Sequence, residues 1–395
     1  MDTFDTVVVG GGPAGATAAE TLAGCGRSVL MIDRRGRIKP CGGAIPPRLI
    51  RDFGIPDHLL ACKVRSARMI SPTGRRVDMP IDNGFVGMVD REIFDEWLRE
   101  RAVSAGAART DGTVVTIDRE PQGAYRIGYR EKESDRTIRY VRSRTLVGAD
   151  GASSTTARLM MPAAERPPFV FAYHEIISTQ GLAPDKLDPA RCDVLYDGRL
   201  SPDFYAWVFP HGATASIGLG SAAKGFPLRE TVTDLRDRIG LGECETIRRE
   251  GAPIPLKPRR RWDDGNGLVL TGDAAGLVAP ASGEGIYYAM YGGKVAAEAV
   301  EARLATGRGR ALATARKTFM KEHGRVFWVL GLLQHFFYRN DRRRERFVSI
   351  CQDSDVQRLT WESYMNKRLV RSAPGAHLRI FLKDVAHLTG LAPAR

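Results

Sequence analysis

VVVGGGPAGATAAETLA, residues 7–23, reads as the end of a strand, a glycine-rich turn and the opening of a helix. Thr3 to Val9 is a β-branched run, Pro13 to Leu22 has helix-forming composition, and Arg27 to Ile32 is β-rich again. Together they make a β-α-β unit within about 33 residues. Gly10, Gly12 and Gly15 stand as G-x-G-x-x-G on that turn. A diphosphate needs this geometry: the first glycine permits the tight turn, the second lets the backbone approach the oxygens, and the third lets helix and strand pack closely. Asp33 closes the second strand 23 residues after Gly10, where its carboxylate can accept from ribose hydroxyls. Gly10, Gly12, Pro13, Ala14, Gly15, Asp33 and Arg34 are therefore the first candidate cofactor residues.

The rest of the chain bounds the possibilities. At about 150 residues per domain, 395 residues suit two or three compact units with sizeable cores. A hydrophobic content of 43% and a charged content of 27%, with no repeat period, exclude a disordered or repeat protein. The six cysteines, Cys25, Cys41, Cys62, Cys192, Cys244 and Cys351, contain no CxxC pair, so neither a zinc site nor a disulfide framework is expected. MDTFDTVVVG has no basic start and no separate cleavage site, so an unexported, cytoplasmic protein is expected.

Further elements follow from periodicity. Arg91 to Ala105 has apolar residues at helical spacing, Thr145 to Ala149 is a short apolar strand, and Leu268 to Thr271 is another. A helix is expected from about Glu284 to Leu304. The block from about Pro167 to Pro258 is rich in aromatics, proline and short β-like runs, and reads as a second domain inserted into the first. Past about Arg310 the chain looks helical to its end.

Two later segments identify the nucleotide. GADGASS, Gly148 to Ser154, and TGDAAGLVAPASGEGI, Thr271 to Ile286, resemble the second and third fingerprints of the flavoprotein hydroxylase and reductase superfamily. The resemblance implies FAD held by Asp150, Gly272, Asp273, Pro280, Gly283, Gly285 and Ile286, with Asp273 on the ribityl chain. A helix opening at Gly283 to Ile286 would place its positive end at the flavin N1/O2 edge, where a reduced flavin carries negative charge. Arg91, opening the helix REIFDEWLRE, matches a flavin-contacting arginine of the superfamily.

Lys39-Pro40-Cys41-Gly42-Gly43 resembles the PxxCGGG segment of geranylgeranyl reductases. Tyr205-Ala206-Trp207-Val208-Phe209-Pro210, followed after seven residues by Gly218-Leu219-Gly220, matches their YxWxFP and GxG substrate motif. DGRLSPDFYAWVFPHGATASIGLG, DRRGRIKPCGGAIPPRLI and QRLTWESYMNKRLV look like the chlorophyll and bacteriochlorophyll geranylgeranyl reductases over essentially the whole chain. The implied architecture is α/β. A Rossmann-type FAD-binding domain of the aromatic-hydroxylase superfamily would occupy 1–65, 85–166 and 259–310, an inserted β-rich substrate domain 66–84 and 167–258, and a helical region 311–395. The chain departs from these patterns at Arg158, which stands one residue later than the hydroxylase arginine, and at Ala44, which replaces the third glycine of the cysteine motif.

The resemblance implies NADPH-dependent reduction of isolated prenyl double bonds, with three of the four in a geranylgeranyl tail reduced to give phytyl. The tail would be esterified to bacteriochlorophyllide or chlorophyllide, or carried as free geranylgeranyl diphosphate, placing the protein in pigment biosynthesis for photosynthesis. An unactivated alkene is a poor hydride acceptor. Its carbon must be held against the flavin while a proton donor stands on the other carbon in a dry cavity. Cys41, Tyr205 or a bound water are the candidate donors, and Cys41, Gly42 and Gly43 form the loop expected beside the isoalloxazine. Tyr205, Trp207 and Phe209 alternate along an expected strand and would share one face, lining an isoprenoid tunnel near Gly218 and Gly220. No second dinucleotide fingerprint is present, so NADPH is expected to bind transiently, or electrons to arrive through a ferredoxin. An aromatic monooxygenase on the same fold is the alternative, disfavoured by Arg158 and the cysteine loop. A flavin halogenase is disfavoured because its WxWxIP motif is absent.

The net charge of +13 is concentrated: Arg303 to Arg346 holds 12 Lys/Arg against three Asp/Glu. Such a field attracts lipid headgroups, nucleic acid or a phosphorylated substrate. Single-strand binding would need aromatics interleaved with the basic residues, whereas the aromatics form one apolar cluster, so nucleic acid is not an expected partner. VFWVLGLLQHFFY, Val326 to Tyr338, is an apolar run of 13 residues, shorter than the roughly 20 that a spanning helix needs. Lys317, Lys321 and Arg325 precede it, and Arg339, Arg342, Arg343, Arg344 and Arg346 follow. That arrangement suits a peripheral protein resting on an anionic membrane surface.

Overall fold

The computed structural model describes residues 1–34, 36, 39, 41–82, 84–132, 136–163, 165–183 and 185–367. The chain divides into two compact units. The first comprises Met1–Cys41, Asp90–Phe169 and Pro253–Phe327, and the second Gly42–Val89, Val170–Ala252 and the chain from Trp328 on.

The first unit is built on a seven-stranded sheet. Its strands run in the order Ala108–Asp111, Val29–Asp33, Thr3–Val9, Arg139–Gly148, Tyr125–Arg130 and Thr113–Arg119, with Leu268–Leu270 also pairing with Arg139–Gly148. The first four are mutually parallel, as is Leu268–Leu270, whereas Tyr125–Arg130 and Thr113–Arg119 pair antiparallel. Parallel strands buried on both faces read as continuous apolar runs, as in Val7, Val8 and Val9. The strand expected at Thr145 to Ala149 is the last part of the ten-residue strand Arg139–Gly148. Its first half alternates exposed Arg139, Tyr140 and Arg144 with buried Val141 and Ser143, so the apolar run begins only where both faces become covered. The helices Pro13–Gly24 and Ile286–Thr306 cross so closely that a Cβ on Gly293 would lie 2.2 Å from the Ala14 carbonyl oxygen.

The second unit has a seven-stranded sheet in the order Thr246–Pro255, Phe169–Ser178, Thr214–Ser221, Ala206–His211, Arg191–Leu195, Ser66–Ile70 and Arg76–Pro80. A three-stranded sheet of Ala44–Ile45, Val86–Val89 and Leu60–Val64 accompanies it. One face of the large sheet buries Ala206, Val208, Ile217 and Leu219 against Val232 and Leu235 of the helix Leu228–Arg238. Beyond Arg310 the helices Ala313–Phe337, Asp341–Ile350 and Ser354–Asn366 follow, and residues 368–395 lie outside the described part.

Candidate functional site

Gly10 has φ +100°, and a Cβ there would lie 2.4 Å from the Ala149 carbonyl oxygen, so only glycine fits. A Cβ on Gly15 would sit 1.8 Å from the Gly10 carbonyl oxygen, which is the close helix–strand contact that the spacing predicts. Gly12 differs: nothing lies within 4 Å of its would-be Cβ. It N-caps the helix Pro13–Gly24, whose first turn carries no acidic residue, so the positive helix end faces open space. The Asp33 side chain folds against Gly11, with Oδ2 2.8 Å from where a Cβ would be. Burial pushes this carboxyl above the usual carboxylate range, against backbone hydrogen bonding at Gly11 and the charge of Arg99. Arg99 donates to Asp33 Oδ2 at 3.2 Å and to the Gly11 carbonyl at 3.3 Å, tying the acidic strand end to the glycine turn. Arg34 is exposed beside it. Open backbone at Gly12, a helix end without competing acid and a braced carboxylate at the strand end fit the ADP portion of FAD.

The two other fingerprint segments are placed around this turn. Asp150 accepts from Thr156 N at 2.9 Å and from the Ser154 and Thr156 hydroxyls, so it braces the opening of the helix Thr155–Met160. A Cβ on Gly10 would lie 3.0 Å from the Asp150 Cα, which puts that backbone directly against the turn. Gly272 has φ +58° and presses on Ala14, where a Cβ would come within 2.7 Å. Asp273 follows in a 3-10 turn and accepts from Lys39. Pro280 lies in the loop that leads through Gly283, at φ +65°, to Gly285, the N-cap of the helix starting at Ile286. That helix also has no acid in its first turn.

Arg91 opens the helix Arg91–Ser104 and is buried. Its guanidinium makes two hydrogen bonds of 2.7 Å to Asp95, four residues on. Burial pulls its pKa down, but the Asp95 carboxylate and the Cys41 thiol within hydrogen-bonding reach raise it further, so the charge is permanent. The sequence reading missed Asp95, Arg99 and Lys39. An i,i+4 Arg–Asp pair looks like any surface pair until its burial is known.

In the second unit, Gly42 and Gly43 stand against the aromatic strand. A Cβ on Gly42 would lie 2.7 Å from the Phe209 ring, and one on Gly43, at φ +69°, would lie 2.6 Å from His211 Nε2. His211 is a further residue that the motif reading passed over. Tyr205, Trp207 and Phe209 share one sheet face, with successive ring centroids 6.1 and 6.3 Å apart. Tyr205 also stacks on Phe204 at 4.3 Å. Phe209 packs on an apolar cluster of Val64, Ile81, Val86, Met88 and Cys192. Gly218 lies beneath Trp207 and Gly220 beneath Phe204, where a Cβ would come within 2.4 and 2.9 Å of the respective rings. All six cysteines are free thiols, and no cluster of metal ligands occurs among the described residues.

Residues 3–167 match the FAD binding domain family. A protein of Rhodobacter capsulatus named geranylgeranyl diphosphate reductase is 58% identical over 390 residues, spanning 99% of this chain and 98% of its own. A chloroplastic protein of Oryza sativa with the same name is 36% identical, spanning 96% of this chain and 85% of its own. Among solved structures, a geranylgeranyl bacteriochlorophyll reductase-like protein of Thermoplasma acidophilum shares the fold, with a TM-score of 0.80 at 23% identity over 95% of this chain and 100% of that one. With its glycine turn and its cysteine and aromatic motifs set in that fold, the chain belongs to the geranylgeranyl reductase family of FAD-dependent oxidoreductases.

Proposed function

We propose that this chain reduces the isolated double bonds of a geranylgeranyl group to phytyl, on a bacteriochlorophyllide or chlorophyllide ester, with electrons from NADPH. The observation that carries this reading is the packing of Gly42 and Gly43 against Phe209 and His211. It sets the loop that follows Cys41 flush against a row of aromatic side chains suited to an isoprenoid tail. Bound FAD supplies the hydride chemistry. Gly10, Gly12, Gly15 and Asp33 hold its ADP portion, and Asp273 and the helix opening at Ile286 serve the flavin end. Tyr205, Trp207 and Phe209 line the tail and keep water out, which an unactivated alkene requires. Cys41 supplies the proton to the second carbon.

Geranylgeranyl diphosphate is the second substrate, favoured by the name of the Rhodobacter capsulatus relative. Anaerobic incubation with each substrate, with NADPH or reduced ferredoxin as donor, followed by mass spectrometry, separates the readings. Hydrogen gained in pairs on the pigment ester supports the proposal. A competent flavin that leaves both substrates unchanged removes it.

The lipid-dissolved substrate also calls for a membrane surface. Trp328, Leu332 and His335 are exposed at helical spacing on one face of the helix Ala313–Phe337, and Arg339 and Arg342 are exposed just beyond. Among the described residues no helix is long and apolar enough to cross a membrane. An apolar stripe beside cations suits reversible docking on anionic lipid. Arg344, in the expected basic cluster, does not take part: it is buried and donates to Asp341 Oδ1 and the Tyr338 carbonyl, both at 2.6 Å.

A further inference from the structure

Three neighbouring strands place His174, Gly218 and Trp207 side by side, His174 paired with Gly218 and Gly218 with Trp207. Gly218 carries no side chain, and a Cβ there would meet both Trp207 Cζ2 at 2.4 Å and His174 Cβ at 2.5 Å. The missing side chain lets the two rings lie across the sheet, with centroids 6.3 Å apart. Ser216, two residues from Gly218 on the same strand and fully buried, connects them.

The donor and acceptor count gives this cluster one direction. An indole N–H can only donate, so Trp207 Nε1 donates to Ser216 Oγ at 3.1 Å. At the other end the Glu250 carboxylate can only accept, so a neutral His174 carries its proton on Nε2, and its bare Nδ1 accepts from the Ser216 hydroxyl at 2.9 Å. The Nε2 proton is donated to Glu250 at 2.9 Å. Glu250 ends the chain of bonds and also pairs with Arg248 at 2.7 Å. From the indole to the carboxylate every polar side-chain atom has a partner, which a buried network must achieve to be tolerated.

We propose that Glu250, His174 and Ser216 are positioning residues that fix the indole of Trp207, and so set the register in which an isoprenoid tail lies along the Tyr205–Trp207–Phe209 face. The assignment rests on the reading of that face as the tail-lining surface. A strapped indole keeps one rotamer as the tail passes, whereas a free one offers several wall shapes. Register decides which double bonds reach the reacting centre, so the relay governs how completely the tail is reduced.

Ser216→Ala removes the middle of the relay with little change in volume. We expect KM for the geranylgeranyl substrate to rise about three- to tenfold, the range of one lost hydrogen bond. The turnover number should change less, and partly reduced tails should accumulate. In a Trp207→Phe background, which has no N–H to strap, Ser216→Ala should add little to either measure. Glu250→Gln, at the outer end, should move both in the same direction by less, and it serves if Ser216→Ala folds poorly. Without any substrate, the Trp207 indole signal in a two-dimensional NMR spectrum, identified by its loss in Trp207→Phe, should shift in Ser216→Ala and in Glu250→Gln. An unmoved indole signal overturns the relay, as does a Ser216→Ala effect that persists undiminished in the Trp207→Phe background. Wild-type protein that reduces no geranylgeranyl substrate would sink the underlying activity instead, and the NMR comparison would still decide the relay.

Discussion

The Arg91 guanidinium grips Asp95, one turn further along the same helix, through paired hydrogen bonds of 2.7 Å, and both side chains are less than a tenth exposed. Removing one partner of such a pair strands a buried charge, whereas the intact pair contributes little net stability. Asp95→Ala should therefore cost about 3–5 kcal/mol of stability. Because Arg91 matches a flavin-contacting arginine of the superfamily, its displacement should lower FAD content as well. Denaturant unfolding together with flavin absorbance per chain checks this, and wild-type values in both would show that the pair is dispensable.

Gly12 and Gly15 look alike in the motif yet should fail differently. At Gly15 a Cβ would collide with the Gly10 carbonyl oxygen at 1.8 Å, so Gly15→Ala must push helix and strand apart. Gly12 has φ −72° and open space around it, so Gly12→Ala fits the protein alone. Gly15→Ala should lower the melting temperature of the apoprotein, while Gly12→Ala should leave it nearly unchanged and weaken FAD binding. Thermal unfolding without cofactor, followed by FAD titration, separates the two. A Gly12→Ala protein with wild-type FAD affinity would mean that the diphosphate does not lie there.

The proton donor is open to a comparison of two variants. Cys41→Ala should retain FAD, since no glycine-turn contact is touched, but slow alkene reduction by about a hundredfold, the usual scale for a lost general acid. Tyr205 is buried and stacked on Phe204, so Tyr205→Phe keeps the packing and should slow the reaction far less. Single-turnover rates with reduced enzyme measure both effects. Wild-type rates and products in Cys41→Ala would remove the thiol from the mechanism.

What could be read in advance follows from how local each requirement is. Gly10 and Gly15 are dictated by a few consecutive residues of backbone, so the spacing alone predicts the tight turn and the close helix–strand contact. Tyr205, Trp207 and Phe209 were legible because strand alternation alone puts them on one face. Asp150 is expected from its fingerprint to hold the cofactor; its carboxylate also accepts from Ser154 and Thr156 of its own loop, a local contact that the fingerprint does not display. The Ser216–His174–Glu250 line draws on three strands with no common motif, and only the register assembles it. Arg343 and Arg344 are adjacent in sequence, yet one lies over the Phe336 ring at 4.4 Å and the other is sealed inside. Composition reports charge but not depth.

That difference in depth shapes the prediction for membrane docking. Exposed Arg339 and Arg342 can meet anionic headgroups, at about 1 kcal/mol for each cation near the surface. Trp328, 67% exposed, adds an amphipathic ring suited to the headgroup layer. Changing Arg339 and Arg342 to Ser should therefore reduce flotation with anionic liposomes and make the remainder less salt-sensitive, while Trp328→Ser should weaken binding even at high salt. Arg344→Ser should behave differently, because it removes a buried donor to Asp341 and to the Tyr338 carbonyl and lowers stability instead. Flotation on anionic and neutral vesicles, paired with melting temperatures, tells the two effects apart. Equal binding to both vesicle types, or undiminished binding after the Arg339 and Arg342 changes, would end the electrostatic docking idea.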